Sequence, residues 1–239
     1  MIRAGRVRLN GAARRDPETP VRLGQDRIEV GGRAIEDEQK IYLMMNKPRG
    51  LVTTVSDEKG RETVYSILSN THEPLLWVAP VGRLDKASEG LLLLTNDSEW
   101  GARVAAPATH LEKTYHVQID RLVDEPFLRR LVRGVGIDRE LLRAAQCRLL
   151  RSGEKNCWLE IILDEGKNRQ IRRMLEALGL EVLRLVRVAI GPLQLGNLAK
   201  GTFRRLTAEE KRAVDSRMTK EHSTTKATKS HDGKLKFSS

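Results

Sequence analysis

Aromatic side chains make up only 4% of the 239 residues, three each of Phe, Trp and Tyr. A chain so poor in rings offers little to an oligosaccharide-binding cleft. Cysteine is scarcer still. Cys147 and Cys157 have neither the close spacing nor the companions of a zinc site, and both read as small core residues on neighbouring strands. No apolar run is long enough to cross a bilayer, and the arginine-rich start has no apolar stretch of a secretory signal. The expectation is a soluble, cytoplasmic protein that uses no membrane. The histidines show no ligand or triad spacing, so no metal site is expected, and no internal repeat is visible.

What the chain has in excess is positive charge. Forty-three Lys and Arg against 32 Asp and Glu leave a formal net charge of +11. Clustered cations gain affinity for polyanions by displacing counterions from phosphates, which makes nucleic acid the first candidate partner. The clustering is real: arginine is dense at the start (Arg3, Arg6, Arg8, Arg14, Arg15) and again between Lys167 and Arg187.

The pattern divides the chain in three. Residues 1–38 read as short strands, over 7–9 and 28–30, joined by Asn10-Gly11 and Gly31-Gly32 turns; this is too little to bury a core alone. Residues 39–215 alternate strands and helices. Apolar, β-prone runs occur at 41–45, 51–54, 75–79 and 91–95, with an alternating strand at 114–119, a hairpin of 148–151 with 157–163, and a strand over 182–190. Helices are expected after Asp97, over 125–133 with Asp124 as cap, over 169–178, and from 208 to about 214, where Thr207 and Glu210 have capping-box spacing. Beyond Ser216 apolar residues become scarce, and residues 216–239 read as a disordered basic tail. With 239 residues the chain is expected to be a catalytic domain with a small appendage.

Two segments carry chemistry. Val81-Gly82-Arg83-Leu84-Asp85-Lys86-Ala87-Ser88-Glu89-Gly90 sets Asp85 beside an apolar strand, where a carboxylate is costly unless it is paired or used. Glu165-Gly166-Lys167-Asn168-Arg169-Gln170-Ile171-Arg172-Arg173-Met174 opens a helix whose Ile171, Met174, Leu175 and Leu178 follow i, i+3, i+4, i+7, which predicts the arginines on or beside the opposite face. Cations at a helix N-terminus oppose the macrodipole, a penalty that a nearby anion reverses.

Together these two motifs resemble those of RNA pseudouridine synthases, specifically the branch that modifies ribosomal RNA. Asn46-Lys47-Pro48-Arg49-Gly50, Gly60-Arg61-Glu62-Thr63-Val64 and Glu112-Lys113-Thr114-Tyr115 are also similar to family segments, so the resemblance spans roughly residues 40 to 207. It implies a mixed α/β domain of the α+β type with a central, largely antiparallel sheet and flanking helices. It also implies isomerisation of a specific uridine to pseudouridine without metal, nucleotide or redox cofactor, and a monomer working on ribosomal RNA or a subunit assembly intermediate. By the resemblance Asp85 is the catalytic aspartate, Arg172 its paired arginine, and Tyr115 the ring that stacks on uracil. A guanidinium within about 4 Å would keep the carboxylate ionised. Leu185 closes the apolar side of the pocket. Arg83 is a candidate to fill the space vacated by a flipped nucleotide or to hold phosphate, Lys47 and Arg61 are candidates for strand contacts, and Lys167, Arg169 and Arg173 are expected to bind substrate. Residues 1–38 resemble the second half of an S4 RNA-binding domain whose helical first half is missing. Two rival readings are a non-catalytic RNA-binding or ribosome-assembly factor on the same fold, and a glycosidase using Asp85 with Glu89.

Overall fold

The computed structural model describes residues 1–22, 25–35, 39–54, 57–69 and 77–229, with side chains up to Met218. The chain divides into two compact units, Met1–Lys40 and Ile41–Ser239. The first is a four-stranded antiparallel sheet, ordered β2-β1-β3-β4, made of β1 (Val7–Leu9), β2 (Ala12–Arg14), β3 (Ile28–Val30) and β4 (Arg33–Ile35). Among its described residues Leu9 is the one buried apolar side chain.

The second unit runs β5 (Tyr42–Lys47), α1 (Tyr65–Ser69), β6 (Ala79–Val81), β7 (Glu89–Thr95), α2 (Ser98–Ala105), β8 (Lys113–Ile119), α3 (Glu125–Arg133), β9 (Val135–Ile137), β10 (Glu140–Leu142), β11 (Gln146–Ser152) and β12 (Cys157–Leu163). It closes with α4 (Gln170–Ala177), β13 (Val182–Ile190), β14 (Leu193–Gln194), β15 (Phe203–Arg205) and α5 (Ala208–Lys229). Its main sheet is ordered β11-β12-β8-β13-β7-β5-β15, with β6 beside β7 and β14 beside β13. Among the described strands of this sheet the β13–β7 pairing alone is parallel, so the expected mixed α/β fold with a largely antiparallel sheet is what forms.

β7 explains the layers. All seven of its residues are buried; Leu91 and Leu93 pack with α2 and α5, while Leu92 and Leu94 pack on the other face with Val64 and Leu68. A strand covered on both faces needs a continuous apolar run rather than alternation. A third cluster lies where β8 and β12 alternate their inward residues against α3 and α4. Gly90 sits where β13 runs parallel to β7, at φ +102°, and a Cβ there would stand 2.2 Å from the Arg187 carbonyl oxygen, so only glycine lets the two strands close.

Three expectations change. Residues 51–54 form no strand but a single bridge from Val52 to Thr63, and the buried Thr53 hydroxyl donates to Leu84 O. Of the run expected at 75–79, Leu75 and Leu76 lie outside the described residues, and pairing begins at Ala79. The last helix does not stop near 214. Val214 and Met218, one turn apart, are both buried in the α2 cluster, and α5 continues to Lys229 through much of the expected tail; residues 230–239 lie outside the described residues.

Candidate active site

Asp85 occupies a turn between β6 and β7 in which every carbonyl from residue 84 to 88 has a donor. Leu84 O accepts from the Thr53 hydroxyl at 2.8 Å. Asp85 O accepts from Ser88 N–H at 2.9 Å and from Lys47 Nζ at 3.2 Å. Lys86 O accepts from Gly50 N–H, Ala87 O from Arg172 Nη2 at 3.2 Å, and Ser88 O from Lys47 Nζ at 2.9 Å. With Leu84 anchored in an apolar cluster, this turn is held from two separate segments, residues 47–53 and α4, and the half-exposed Asp85 carboxylate is free to face outward.

It faces a cleft of about 620 Å³, within the ~300–1,000 Å³ typical of small-molecule sites. Tyr115 and Leu185 line it, as do Arg83, Lys167, Arg169 and Arg172. Six cationic side chains and two acidic ones, Asp85 and Glu165, border the space. The buried polar side-chain atoms without a partner among the described residues are Ser88 Oγ, Arg172 Nε and Arg187 Nη2, all three on cleft-lining residues. A buried polar group left without a partner costs about 1–3 kcal/mol.

The expected ion pair is not the one formed. Asp85 Oδ2 meets Arg169 Nη1 at 3.7 Å, whereas Arg172 makes no ion pair with Asp85 within 4.0 Å. The cause is where α4 begins. Arg169 is its N-cap, in left-handed backbone at φ 47°, and its exposed side chain reaches the carboxylate; Arg172, one turn in, lies on the buried side of the helix rather than the opposite face. There it donates to Ala87 O and Val182 O. Burial and the neighbouring Arg169 lower the Arg172 pKa, while the charge of Asp85 works against them.

A scan of known protein families matches residues 41–177 to the RNA pseudouridylate synthase family. The chain belongs to that family. It is 35% identical over 212 residues to the "Ribosomal large subunit pseudouridine synthase B" of Bacillus subtilis (strain 168), covering 88% of this chain and 85% of that one. It is 36% identical to an "Uncharacterized RNA pseudouridine synthase" of Aquifex aeolicus (strain VF5), covering 88% and 84%. A solved structure described as a pseudouridylate synthase superposes with a TM-score of 0.65 at 30% identity, over 89% of this chain and 90% of the other.

In this pseudouridylate synthase family member, three residues expected to bind substrate do other work. Lys47 is completely buried and its ammonium donates to Pro48 O at 3.1 Å as well as to Asp85 O and Ser88 O, so it clamps the turn instead of touching a strand. Burial pushes its pKa down to about 8, against the opposing charges of Asp85 and Glu89. Arg61 is neutralised by Asp57, whose oxygens accept from its Nε at 3.0–3.1 Å, and it does not line the cleft. Arg173 turns away to Glu140 at 3.0 Å, on the β9–β10 hairpin that sequence reading did not detect. Glu89 is no second carboxylate for a glycosidase. It is buried between Arg184 and Lys200, and although burial alone would raise its pKa, those two cations bring it below the ordinary value.

Residues not foreseen as part of the site are Lys113, Gln170 and Arg187. Gln170 accepts from Lys167 N–H through Oε1 and donates to Arg143 O and Glu165, fixing the loop that leads into α4. The signal for the other two was in the alternation: Lys113 shares a face with Tyr115, and Arg187 is a lone cation on the inward side of an apolar strand.

Proposed function

We propose that this protein converts a specific uridine of ribosomal RNA to pseudouridine, with Asp85 as the group that acts on the ribose. The observation that carries the reading is a carboxylate on a fully hydrogen-bonded turn, facing Tyr115 and Leu185 in a cleft where cations outnumber acids three to one. The target uridine leaves its stack, enters the cleft with its ring against Tyr115, and has its phosphates held by Arg83, Lys167 and Arg169. The N1–C1′ bond breaks, the base turns while held, and C5 bonds to C1′. Arg172 acts through charge and through Ala87 O, keeping the turn in place beneath Asp85.

Ribosomal RNA is chosen because the Bacillus subtilis relative is named for the large ribosomal subunit and because the net charge of +11 suits a polyanion. The small sheet of residues 1–40 supplies an S4-like RNA arm, and the protein works as a cytoplasmic monomer on naked RNA or an assembly intermediate. Mapping pseudouridines in the ribosomal RNA of a deletion strain tests this. Loss of one site, restored by purified protein on the matching transcript, is expected. An unchanged map, with no activity on any ribosomal transcript, would leave a non-catalytic RNA-binding factor as the better reading.

A further inference from the structure

β8 and β13 bring two cations to one spot on the cleft wall. In their antiparallel register Arg187 lies directly opposite Tyr115, and Lys113, two residues before Tyr115, points to the same face of β8. Arg187 is only 6% exposed, and its Nε donates to Leu91 O at 2.7 Å, which fixes the guanidinium against the central strand. Its Nη2 is buried with no acceptor among the described residues. The Lys113 ammonium likewise has no hydrogen-bond acceptor or ion pair within 4.0 Å among those residues, and the charge of Asp164 is its one counterweight. Burial first, and the charge of Arg187 second, lower its pKa. Two neighbouring cations, with the charge of Asp164 working against the burial of Lys113, are an unfavourable arrangement that an acceptor would relieve.

The surroundings say what that acceptor is. Leu163, Leu185 and Ile190 also line the cleft, and Leu163 and Ile190 lie opposite Lys113 in the β12 and β13 registers, a poor setting for a hydrated phosphate, for which the more exposed Arg83 and Arg169 are better placed. A uracil ring stacked on Tyr115 presents its carbonyl oxygens at the ring edge, beside the tyrosine, where Lys113 and Arg187 stand.

We infer that Lys113 is a further catalytic residue: it receives a carbonyl oxygen of the target uracil and stabilises negative charge on the base as the glycosidic bond breaks, with Arg187 as a positioning residue that adds a fixed charge behind it. This rests on the function proposed above. Whether Asp85 bonds to C1′ or removes a proton from C2′, the electron pair of the N1–C1′ bond leaves with the base, giving a uracil anion whose charge is shared by N1, O2 and O4. After the base turns, the pair, delocalised from N1 through C6 onto C5, forms the C5–C1′ bond; where Asp85 had bonded to C1′, that C–O bond breaks and its electron pair returns to the carboxylate. The C5 proton passes to water, N1 takes up a proton, and any proton removed from C2′ is returned, so substrate and product remain isomers.

The test uses the full chain and a ribosomal RNA fragment carrying the identified uridine, either unmodified or replaced by 2-thiouridine or 4-thiouridine, whose sulfur is a weaker acceptor. Single-turnover rates are measured at saturating RNA. Lys113→Met is expected to slow isomerisation by about a hundredfold with RNA affinity within a few-fold, and Lys113→Arg to recover part of the loss. One of the thio-substitutions should slow the wild type yet leave the methionine variant unaffected, because donor and acceptor belong to the same contact. Lys113→Gln takes the place of the methionine variant if thermal melting shows that the latter does not fold. In either variant, a wild-type rate, or a thio effect that persists at full size, overturns the assignment. A wild type that isomerises no ribosomal fragment overturns the proposed function itself, a distinct result.

Discussion

The carboxylate of Asp85 stands 3.7 Å from the guanidinium of Arg169, while Arg172, one helical turn further on, holds the carbonyl of Ala87 at 3.2 Å. One arginine addresses the carboxylate from the side of the cleft and the other addresses the backbone beneath it. The first predictions separate these roles.

Asp85→Asn keeps the shape of the side chain and removes its charge. Pseudouridine formation on a ribosomal transcript should vanish while RNA affinity, read by filter binding, stays within a few-fold. Normal turnover by the variant would remove Asp85 from the chemistry.

Arg169→Gln should make the slope of log affinity against log salt shallower by about one and leave the single-turnover rate within about tenfold, as expected for a phosphate contact. Arg172→Gln should instead cut the rate and cost about 1–3 kcal/mol of stability, because Ala87 O and Val182 O lose a buried donor. The opposite pattern would make Arg169 the working partner of Asp85.

Lys47 predicts a pH dependence. Its pKa is depressed to about 8 in the fold, whereas in the unfolded chain a lysine holds its proton to about 10.4. Between those values the unfolded state binds more protons, so the lysine's contribution to stability rises with pH across that window. The rate should move the other way. A neutral amine has two N–H donors for three carbonyls, which loosens the turn that carries Asp85. Activity should fall above about pH 8, and Lys47→Met should be slow at pH 7 with no such limb in its profile.

The last helix belongs to the core. Met218→Ala should destabilise the protein by about 2 kcal/mol or more, seen as a lower melting temperature, since a buried side chain packed beside Trp100 and Val214 is removed. A surface tail would show no change.

Deleting residues 1–38 should leave the rate at saturating RNA intact and make the salt slope shallower, because the arginines of that unit no longer displace counterions. A folded truncation with an unchanged slope would show that this unit is not an RNA arm.

The sequence alone determined the features that depend on neighbours along the chain. Alternation over 114–119 placed β8, the hairpin signal between 148–151 and 157–163 placed β11 and β12, the apolar run over 91–95 marked a strand, and Asp97 and Asp124 cap α2 and α3 through their side chains as their spacing implied. The two motifs around Asp85 and Arg172 share one cleft, and their identity as a pair was readable because each is a local string. Which arginine meets Asp85 was not readable, since it turns on the left-handed backbone at Arg169 and on how far into α4 burial extends. The same limit hid the use of Lys47, an ordinary lysine in sequence, whose function as a clamp exists only when residues 48, 85 and 88 fold around it. Likewise α5 passes its expected end because Met218 finds a core contributed by α2 and β7. Periodicity and capping are set within a few residues, whereas the partner of a buried charge is set by whichever distant segments enclose it, and only the tertiary structure decides that.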